Sequence, residues 1–506
     1  MPTSPRPGPT ETVPTSLSAG TSGAVPTGPR PGASGTVPTS PRPRASGTRG
    51  EWFAVLDPAT GEAFDEAPDQ QPDELDAIVG RAHAAWRDWR ADPAARTTAL
   101  LAAADAVVAA GADLAPLLTR EQGKPLAESQ AEVARTAARL RYFAELSAET
   151  QPITDDRPIR SEIRWRPLGP VAAIVPWNFP LQLASAKFAP ALAAGNTMVL
   201  KPSPFTPLAT RLLASVLSTA LPPDVLTVVT GREPLGARLV SHPGIRHVTF
   251  TGSVPTGRAV ARAAAASLAR VTLELGGNDA AILLEDVEDG ELERITDRLF
   301  WAAFRNCGQI CMAVKRLYAP ARLYSRVVDA LAQRAKSTVV GPGLDPGSQL
   351  GPVSNAPQLA RVEHHTARAL ADGARAAAGG HRLDRPGYFF APTILADVPP
   401  DSPVVAQEQF GPVLPVLPYV SLDEAIEAAN DTGFGLGGSV WGTDLDRAEA
   451  VAGRLECGTV WINHHAETSL AQPFAGVKDS GVGVAGGPWG LYGNLSPFVV
   501  HRPVEA

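Results

Sequence analysis

Cysteine is nearly absent from this sequence: Cys307, Cys311 and Cys457 are the three in 506 residues. So few thiols over so long a chain cannot form a disulfide framework, and they point to a reducing, cytoplasmic compartment. Positive charge is short as well, with 45 Lys and Arg against 52 Asp and Glu for a formal net charge of -7. A nucleic-acid or anionic-membrane surface needs a concentrated basic field, so neither partner is expected. No apolar run reaches the ~18 residues that a membrane span requires. The apolar core of a secretory signal is missing too.

Proline, by contrast, is plentiful, with 49 residues placed unevenly. The first 48 residues read as four twelve-residue units, MPTSPRPGPTET, VPTSLSAGTSGA, VPTGPRPGASGT and VPTSPRPRASGT. A tract with almost nothing large and apolar cannot offset the entropy of ordering, so residues 1–50 are expected to be a disordered tail. The remaining residues, about 455 in number, suffice for two domains and a large core.

Order is expected from Trp52. Residues 72–150 carry Ala/Leu-rich helical patterns, opened by the acidic first turn Pro72-Asp73-Glu74 and interrupted at Arg120–Pro125. From Val171 short β-branched runs alternate with helices: Val171–Val175, Thr197–Lys201, Leu226–Val229, His247–Phe250 and Val271–Leu275. That alternation predicts βαβ units, an α/β fold and a parallel sheet whose ligand loops lie at the carboxyl ends of the strands. Arg157–Arg166, polar and alternating, predicts an exposed antiparallel strand suited to oligomerisation.

Those strand ends carry Pro176–Pro180, Lys201-Pro202-Ser203-Pro204, Phe250–Ser253 with Gly257 beyond it, and Glu274–Gly277. A Gly-Ser turn that opens a helix can set backbone N–H groups against a pyrophosphate. A sharper signal is Phe304–Cys311, a Gly- and Gln-containing tract that predicts an exposed loop. With the carboxylate of Glu274 and the amide of Asn178, Cys311 completes a set for covalent catalysis.

With these motifs the chain resembles the aldehyde dehydrogenase superfamily from about Trp52 to about Val500. The resemblance is carried by PWNFP at 176–180, FTGS at 250–253, LELGGN at 273–278, GQIC at 308–311 and EQFGP at 408–412. NDTGFGLGGSVW at 430–441 and PFAGVKDSG at 473–481 come next, in the family's order. It implies a Rossmann-like parallel-sheet cofactor domain, an α/β catalytic domain and a small β oligomerisation arm. The boundaries expected are 51–277 for the NAD(P)-binding domain with an oligomerisation strand segment at 152–167, 278–472 for the catalytic domain, and 473–506 for a C-terminal segment with a second oligomerisation strand.

The implied chemistry oxidises an aldehyde to the carboxylic acid. Cys311 attacks the carbonyl, and the Asn178 amide with the Cys311 backbone N–H holds the oxyanion. Hydride leaves for the nicotinamide, and Glu274 activates the water that hydrolyses the thioester. A CoA-acylating semialdehyde dehydrogenase is the alternative enzyme, disfavoured by Glu274, and a non-catalytic binding or structural member is the alternative from another class.

The resemblance also implies cofactor contacts from Lys201 at the adenosine ribose, Gly252 and Ser253 at the pyrophosphate turn, Glu408 at the nicotinamide ribose with Phe410 beside the ring, and Trp177 as a neighbour of the cofactor; Ser203 and Gly257 are counted with them as cofactor-binding. Pro204 stands where many NAD-preferring members have Glu, so both NAD and NADP are expected, with NAD placed first. Asn278 and Ala475 also depart from the family pattern, outside the chemistry. Arg305 matches one arginine of a carboxylate-binding pair whose second member is Ala186 here, so it is read as a structural ion-pair residue. His464 and His465 are adjacent and lack a third ligand, so no metal is expected. Cys307 reads as a packing residue, or alternatively as a protective disulfide partner for Cys311. The expected partners are a small aldehyde and copies of the chain itself, as a homodimer or homotetramer.

Overall fold

The alternation of strand and helix after Val171 produces a six-stranded sheet in the order Gly481–Val482, Arg270–Glu274, His247–Thr251, Val171–Ile174, Met198–Lys201 and Leu226–Val228. The computed structural model from which this is taken describes residues 51–153 and 159–503. The repeat tract, and with it the expected tail, lies outside the described residues, as does Arg157. All five strands expected from the sequence are present and run parallel. They are short, and the three central ones are nearly all buried, because helices cover both faces of the sheet.

Register sets which side chains share the carboxyl edge of this sheet. Ile174 pairs with both Lys201 and Phe250, and Thr251 pairs with Glu274. Thr251 and Glu274 therefore end side by side at that edge, with Lys201 across the intervening strand Val171–Ile174, where such sheets bind ligands. The C-terminal segment also contributes here: Gly481–Val482 runs antiparallel beside Arg270–Glu274, a pairing that adds to the oligomerisation strand expected of 473–506.

The helical stretch before this sheet divides into Leu75–Trp89, Pro93–Ala109, Gly111–Gln122 and Leu126–Glu145. The break expected at Arg120–Pro125 falls at Gly123, whose φ of +102° and close approach to Pro58 and Pro352 leave no room for a side chain. Leu140 and Phe143 of the last helix pack with Phe188 and Leu192 of the helix Pro180–Ala193 in one core. Among the described residues no single helix is long and apolar enough to cross a membrane.

A second sheet has seven strands, ordered Arg375–Ala378, Thr393–Ala396, Val413–Tyr419, Val314–Pro320, Asp279–Leu283, Gly437–Trp441 and Thr459–Ile462. It is parallel except at the Arg375–Ala378 edge. Glu274 closes a strand of the first sheet and Asp279 opens one of the second, so the chain crosses in four residues, and it returns to the first sheet at Gly481–Val482. A third, antiparallel sheet joins Leu495–Pro503 to Ile159–Pro167 and that strand to Gln151–Ile153. Arg166 lies over the Phe498 ring at 3.9 Å, which fastens its two longer strands.

Candidate active site

The tract Phe304–Cys311 departs from the exposed loop expected of it. Asn306, Cys307, Gly308, Gln309 and Ile310 are all buried, and only Arg305 reaches solvent freely. Three consecutive residues, Asn306, Cys307 and Gly308, have positive φ values of 50°, 56° and 70°. A non-glycine in that region costs about 1–3 kcal/mol, so the turn persists because its surroundings impose it. They do so through hydrogen bonds: Lys315 Nζ donates to Gly308 O at 2.6 Å and to Gly411 O at 2.9 Å, tying the turn to the 408–412 loop. Gly308 is required by this closeness, since a Cβ there would meet the Gly411 carbonyl.

A buried polar web extends from the same turn to Asn178. Asn306 Nδ2 donates to Asn178 O at 3.1 Å, and Gln122 Nε2 donates to Asn306 Oδ1 at 3.1 Å. Lys124 Nζ bonds Asn178 O and Glu132 Oε2, each at 2.7 Å, and lies 3.8 Å from the centre of the Phe179 ring. The other Glu132 oxygen accepts from the N–H groups of Leu181 and Gln182, at the start of the helix after Asn178. Lys124 and Glu132 thus fix the backbone on both sides of Asn178. The sequence showed these residues only as a helix break and a helix face; a charged pair eight positions apart carries no signal of burial.

Cys311 ends the turn half-buried in a cavity of about 630 Å³ whose walls include Asn178, Lys187, Thr251 and Glu274. Burial pushes its thiol well above the usual range, and the carboxylates of Glu408, Asp279 and Glu274 add to that; the Met312 N–H acts in the opposite direction. The Cys311 N–H itself donates to no group among the described residues. Asn178 Nδ2 donates to Gln309 O at 2.9 Å, which leaves its second amide hydrogen uncommitted. Glu274 is 7% exposed, yet neither carboxylate oxygen has a partner. Burial raises its pKa to about 8, opposed by the charge of Lys187, whose own pKa burial lowers. Lys187 Nζ is held by Thr249 Oγ1 at 3.1 Å.

Residues expected to meet the dinucleotide line the carboxyl edge of the first sheet. Lys201 is buried at its strand end, where its ammonium has one hydrogen bond, a long 3.4 Å contact to Pro202 O. Its pKa falls through burial, countered by Glu233 and Asp69. Ser203 is buried and accepts from Phe205 N at 3.2 Å. Ser253 caps the helix Val254–Ala265, and Gly252 before it lies against the Phe250 ring, which a Cβ would meet at 2.5 Å. An under-partnered ammonium and a helix N-terminus at the same edge of the sheet suit a polyanionic ligand. Gly257 is different: it is buried in that helix against Leu275, so what its missing side chain provides is close packing. Trp177 meets Phe410 edge-to-face at 5.4 Å between centroids. Glu408 accepts from Gly277 N at 3.0 Å over Gly276, and burial raises its pKa to about 7.

Two further readings change. Arg305 was expected to form a structural ion pair; it lines the cavity and makes no direct salt bridge among the described residues, although its charge acts on the buried carboxyl of Glu128. Cys307 is 1% exposed inside the hydrophobic core, with its thiol pushed up to about 12, which leaves it a packing residue and a poor disulfide partner. His465 Nε2 bonds Met312 O at 2.7 Å and lies 3.5 Å from Asp279 Oδ2, an arrangement that orients the ring beside the Cys311 turn. Among the described residues no three His, Cys, Asp or Glu side chains could together hold a metal ion.

The sequence profile of the Aldehyde dehydrogenase family matches residues 45–496. The succinate-semialdehyde dehydrogenase (NADP(+)) of Escherichia coli is 38% identical over 451 residues, covering 87% of this chain and 92% of that protein. The geranial dehydrogenase of Castellaniella defragrans is 40% identical over 456 residues, covering 87% and 94%. Among solved structures, lactaldehyde dehydrogenase from Escherichia coli superposes with a TM-score of 0.87 at 34% identity, covering 90% of this chain and 97% of that one. The two-sheet fold, the cysteine turn facing an unpaired carboxylate and these likenesses agree: the chain belongs to the aldehyde dehydrogenase family, enzymes that oxidise aldehydes to carboxylic acids with NAD or NADP.

Proposed function

We propose that Cys311 is the nucleophile, Glu274 the general base, and Asn178 with the Cys311 N–H the oxyanion holder of this chain's aldehyde oxidation. The supporting observation is their convergence on one cavity with their reactive atoms unspent: a carboxylate without partners, an uncommitted amide hydrogen and a free backbone N–H. Attack by sulfur on the aldehyde gives a tetrahedral oxyanion, and two fixed donors at that oxygen stabilise it more than the flat carbonyl. The bound dinucleotide supplies a hydride acceptor. Glu274 then takes a proton from the water that releases the acid from Cys311.

Lys201, Ser203, Gly252 and Ser253 hold the adenosine and pyrophosphate end in this reading, with Gly257 letting the helix close on the sheet. Trp177, Glu408 and Phe410 flank the nicotinamide end. Both NAD and NADP are accepted, because Pro204 offers no carboxylate to repel a 2′-phosphate and Lys201 offers an amine to receive it. The domain boundaries fall at 51–277, 278–472 and 473–506. The antiparallel sheet of Ile159–Pro167 and Leu495–Pro503 joins copies into a dimer or tetramer, a reading supported by its two outer strands, each of which pairs on one side alone among the described residues. Three free cysteines suit a reducing, cytoplasmic setting. Nicotinamide absorbance followed with aliphatic, aromatic and carboxylated aldehydes, with each coenzyme, tests the assignment. Turnover abolished in Cys311→Ala is expected; turnover that persists there would overturn it.

A further inference from the structure

Four guanidinium groups line the cavity that holds Cys311, and none forms an ion pair with a carboxylate among the described residues. They come from two helices. Arg135 and Arg139 lie four positions apart on Leu126–Glu145, the spacing that places both on one face. Arg298 and Arg305 stand seven apart along Asp289–Phe304 and its cap, again on one face.

The first pair is anchored and still underused. Arg135 Nη2 donates to Thr468 O and Oγ1 at 2.6 and 2.7 Å, while its Nε is buried without any partner. Arg139 Nη1 donates to Gln182 O at 2.8 Å and Ser185 Oγ at 3.0 Å, all neutral acceptors. Burial lowers the pKa of Arg139 to about 9, with the charge of Arg135 adding to the fall and that of Glu132, already bonded to Lys124, opposing it; burial lowers the pKa of Arg135 in the same direction. Arg298 and Arg305 are exposed. The carboxylates that share this lining form no salt bridge with them: Asp297 pairs with Arg334 at 2.8 Å, Glu274 stands at the chemistry, and Glu467 is exposed; behind the lining, Glu132 and Glu128 act on Arg139 and Arg305 from a distance but are bonded to Lys124 and to the Asn306 N–H. A buried guanidinium left with a free donor is costly unless an anion completes it.

We infer that the preferred substrates are aldehydes carrying a second, anionic group, a carboxylate or sulfonate remote from the carbonyl, which Arg135 and Arg139 bind together, with Arg298 and Arg305 lining the same cavity. The inference rests on Cys311 being the nucleophile in this cavity, and it names the substrate class for that site. Planar, multi-donor guanidinium groups match the oxygens of such anions, and the cavity volume leaves room for a carbon chain or ring between the two ends.

The test compares 4-carboxybenzaldehyde and 4-formylbenzenesulfonate with the neutral methyl 4-formylbenzoate, in the full-length protein and in Arg135→Met, Arg139→Met, Arg305→Met and Arg135→Lys. A KM lower by about 10-fold or more for an anionic aldehyde is expected in the native chain, as befits charge-assisted hydrogen bonds. The Met variants should raise that KM by a similar factor with kcat and the neutral aldehyde nearly unchanged, and Arg135→Lys should recover part of it. Preference for the carboxylate or for the sulfonate identifies the anion, and either supports the proposal. Equal KM values for charged and neutral aldehydes, or Met variants that weaken both alike, would overturn it. Terephthalate binding to Cys311→Ala by calorimetry reads the anion site without catalysis. Binding there that is lost when Arg135→Met is added to Cys311→Ala supports the site even if the nucleophile assignment fails, and no binding overturns it.

Discussion

Asn178 separates two buried polar regions that treat their hydrogen bonds in opposite ways. Behind it Gln122, Lys124, Glu132, Asn306 and Gln309 form a web in which each side-chain polar group has a partner. In front of it both oxygens of Glu274, the Asn178 oxygen, Arg135 Nε and His465 Nδ1 have none. Buried polar atoms without partners cost free energy, and folded proteins rarely keep several together. Unpaired atoms also occur at the edge of the web, at Glu128 Oε2 and Ser354 Oγ, but the five residues of the web itself have none: the web holds the Cys311 turn in its left-handed backbone, and the unpaired groups on the cavity side await substrate, water or coenzyme.

Breaking the unpaired side should give the largest effect on rate. Glu274→Gln should lower kcat by about 100- to 10,000-fold, the usual worth of a general base, with thermal stability maintained or raised because a buried carboxylate is removed. The pH profile carries the sign. A carboxyl group whose pKa is raised is neutral and inactive below that value, so kcat of the native enzyme should rise with pH through about 8 and level above it. That limb should vanish in Glu274→Gln and move to higher pH in Lys187→Met, since the Lys187 charge favours the ionised form. A limb unchanged in both variants would assign it to another group.

Breaking the web should act on stability. Lys124→Met leaves Glu132 buried without its counter-charge and should cost about 3–5 kcal/mol in urea unfolding. Loss of activity in step with unfolding is expected. A variant as stable as the native chain would show that the pair does not hold the turn. The smallest effect should come from Cys307→Ala, which deletes one buried sulfur from the core and should cost about 1 kcal/mol with kcat nearly unchanged. A large drop in kcat there would return Cys307 to the chemistry.

The sequence revealed the site unevenly, and the unevenness has physical causes. Strand residues such as Val171–Ile174 and Arg270–Glu274 were legible because β-branched runs between turns have few alternatives, and the Gly-rich strand ends mark where backbone must come close. Burial of the 306–310 turn was not legible. Asn, Gly and Gln look like an exposed loop unless the Lys315, Gln122 and Ser354 groups that satisfy them are known, and those are brought there only by the fold. Arg135 and Arg139 were lost in an Ala-rich helix whose charged positions resemble a solvated face. Arg305 reads as an ion-pair residue in the sequence because the position of its partner arginine holds Ala186, whereas Arg135 and Arg139, which share its cavity, come from the helix Leu126–Glu145.

The central claim, that acyl transfer runs through Cys311 and is released by Glu274, is tested most directly by intact-mass and peptide-mapping spectrometry of Glu274→Gln after incubation with aldehyde and NAD or NADP. An acyl group accumulating on Cys311 as a thioester, with Cys307 and Cys457 unmodified, is the predicted result. An acyl group on another residue, or no adduct alongside undiminished turnover, would contradict it.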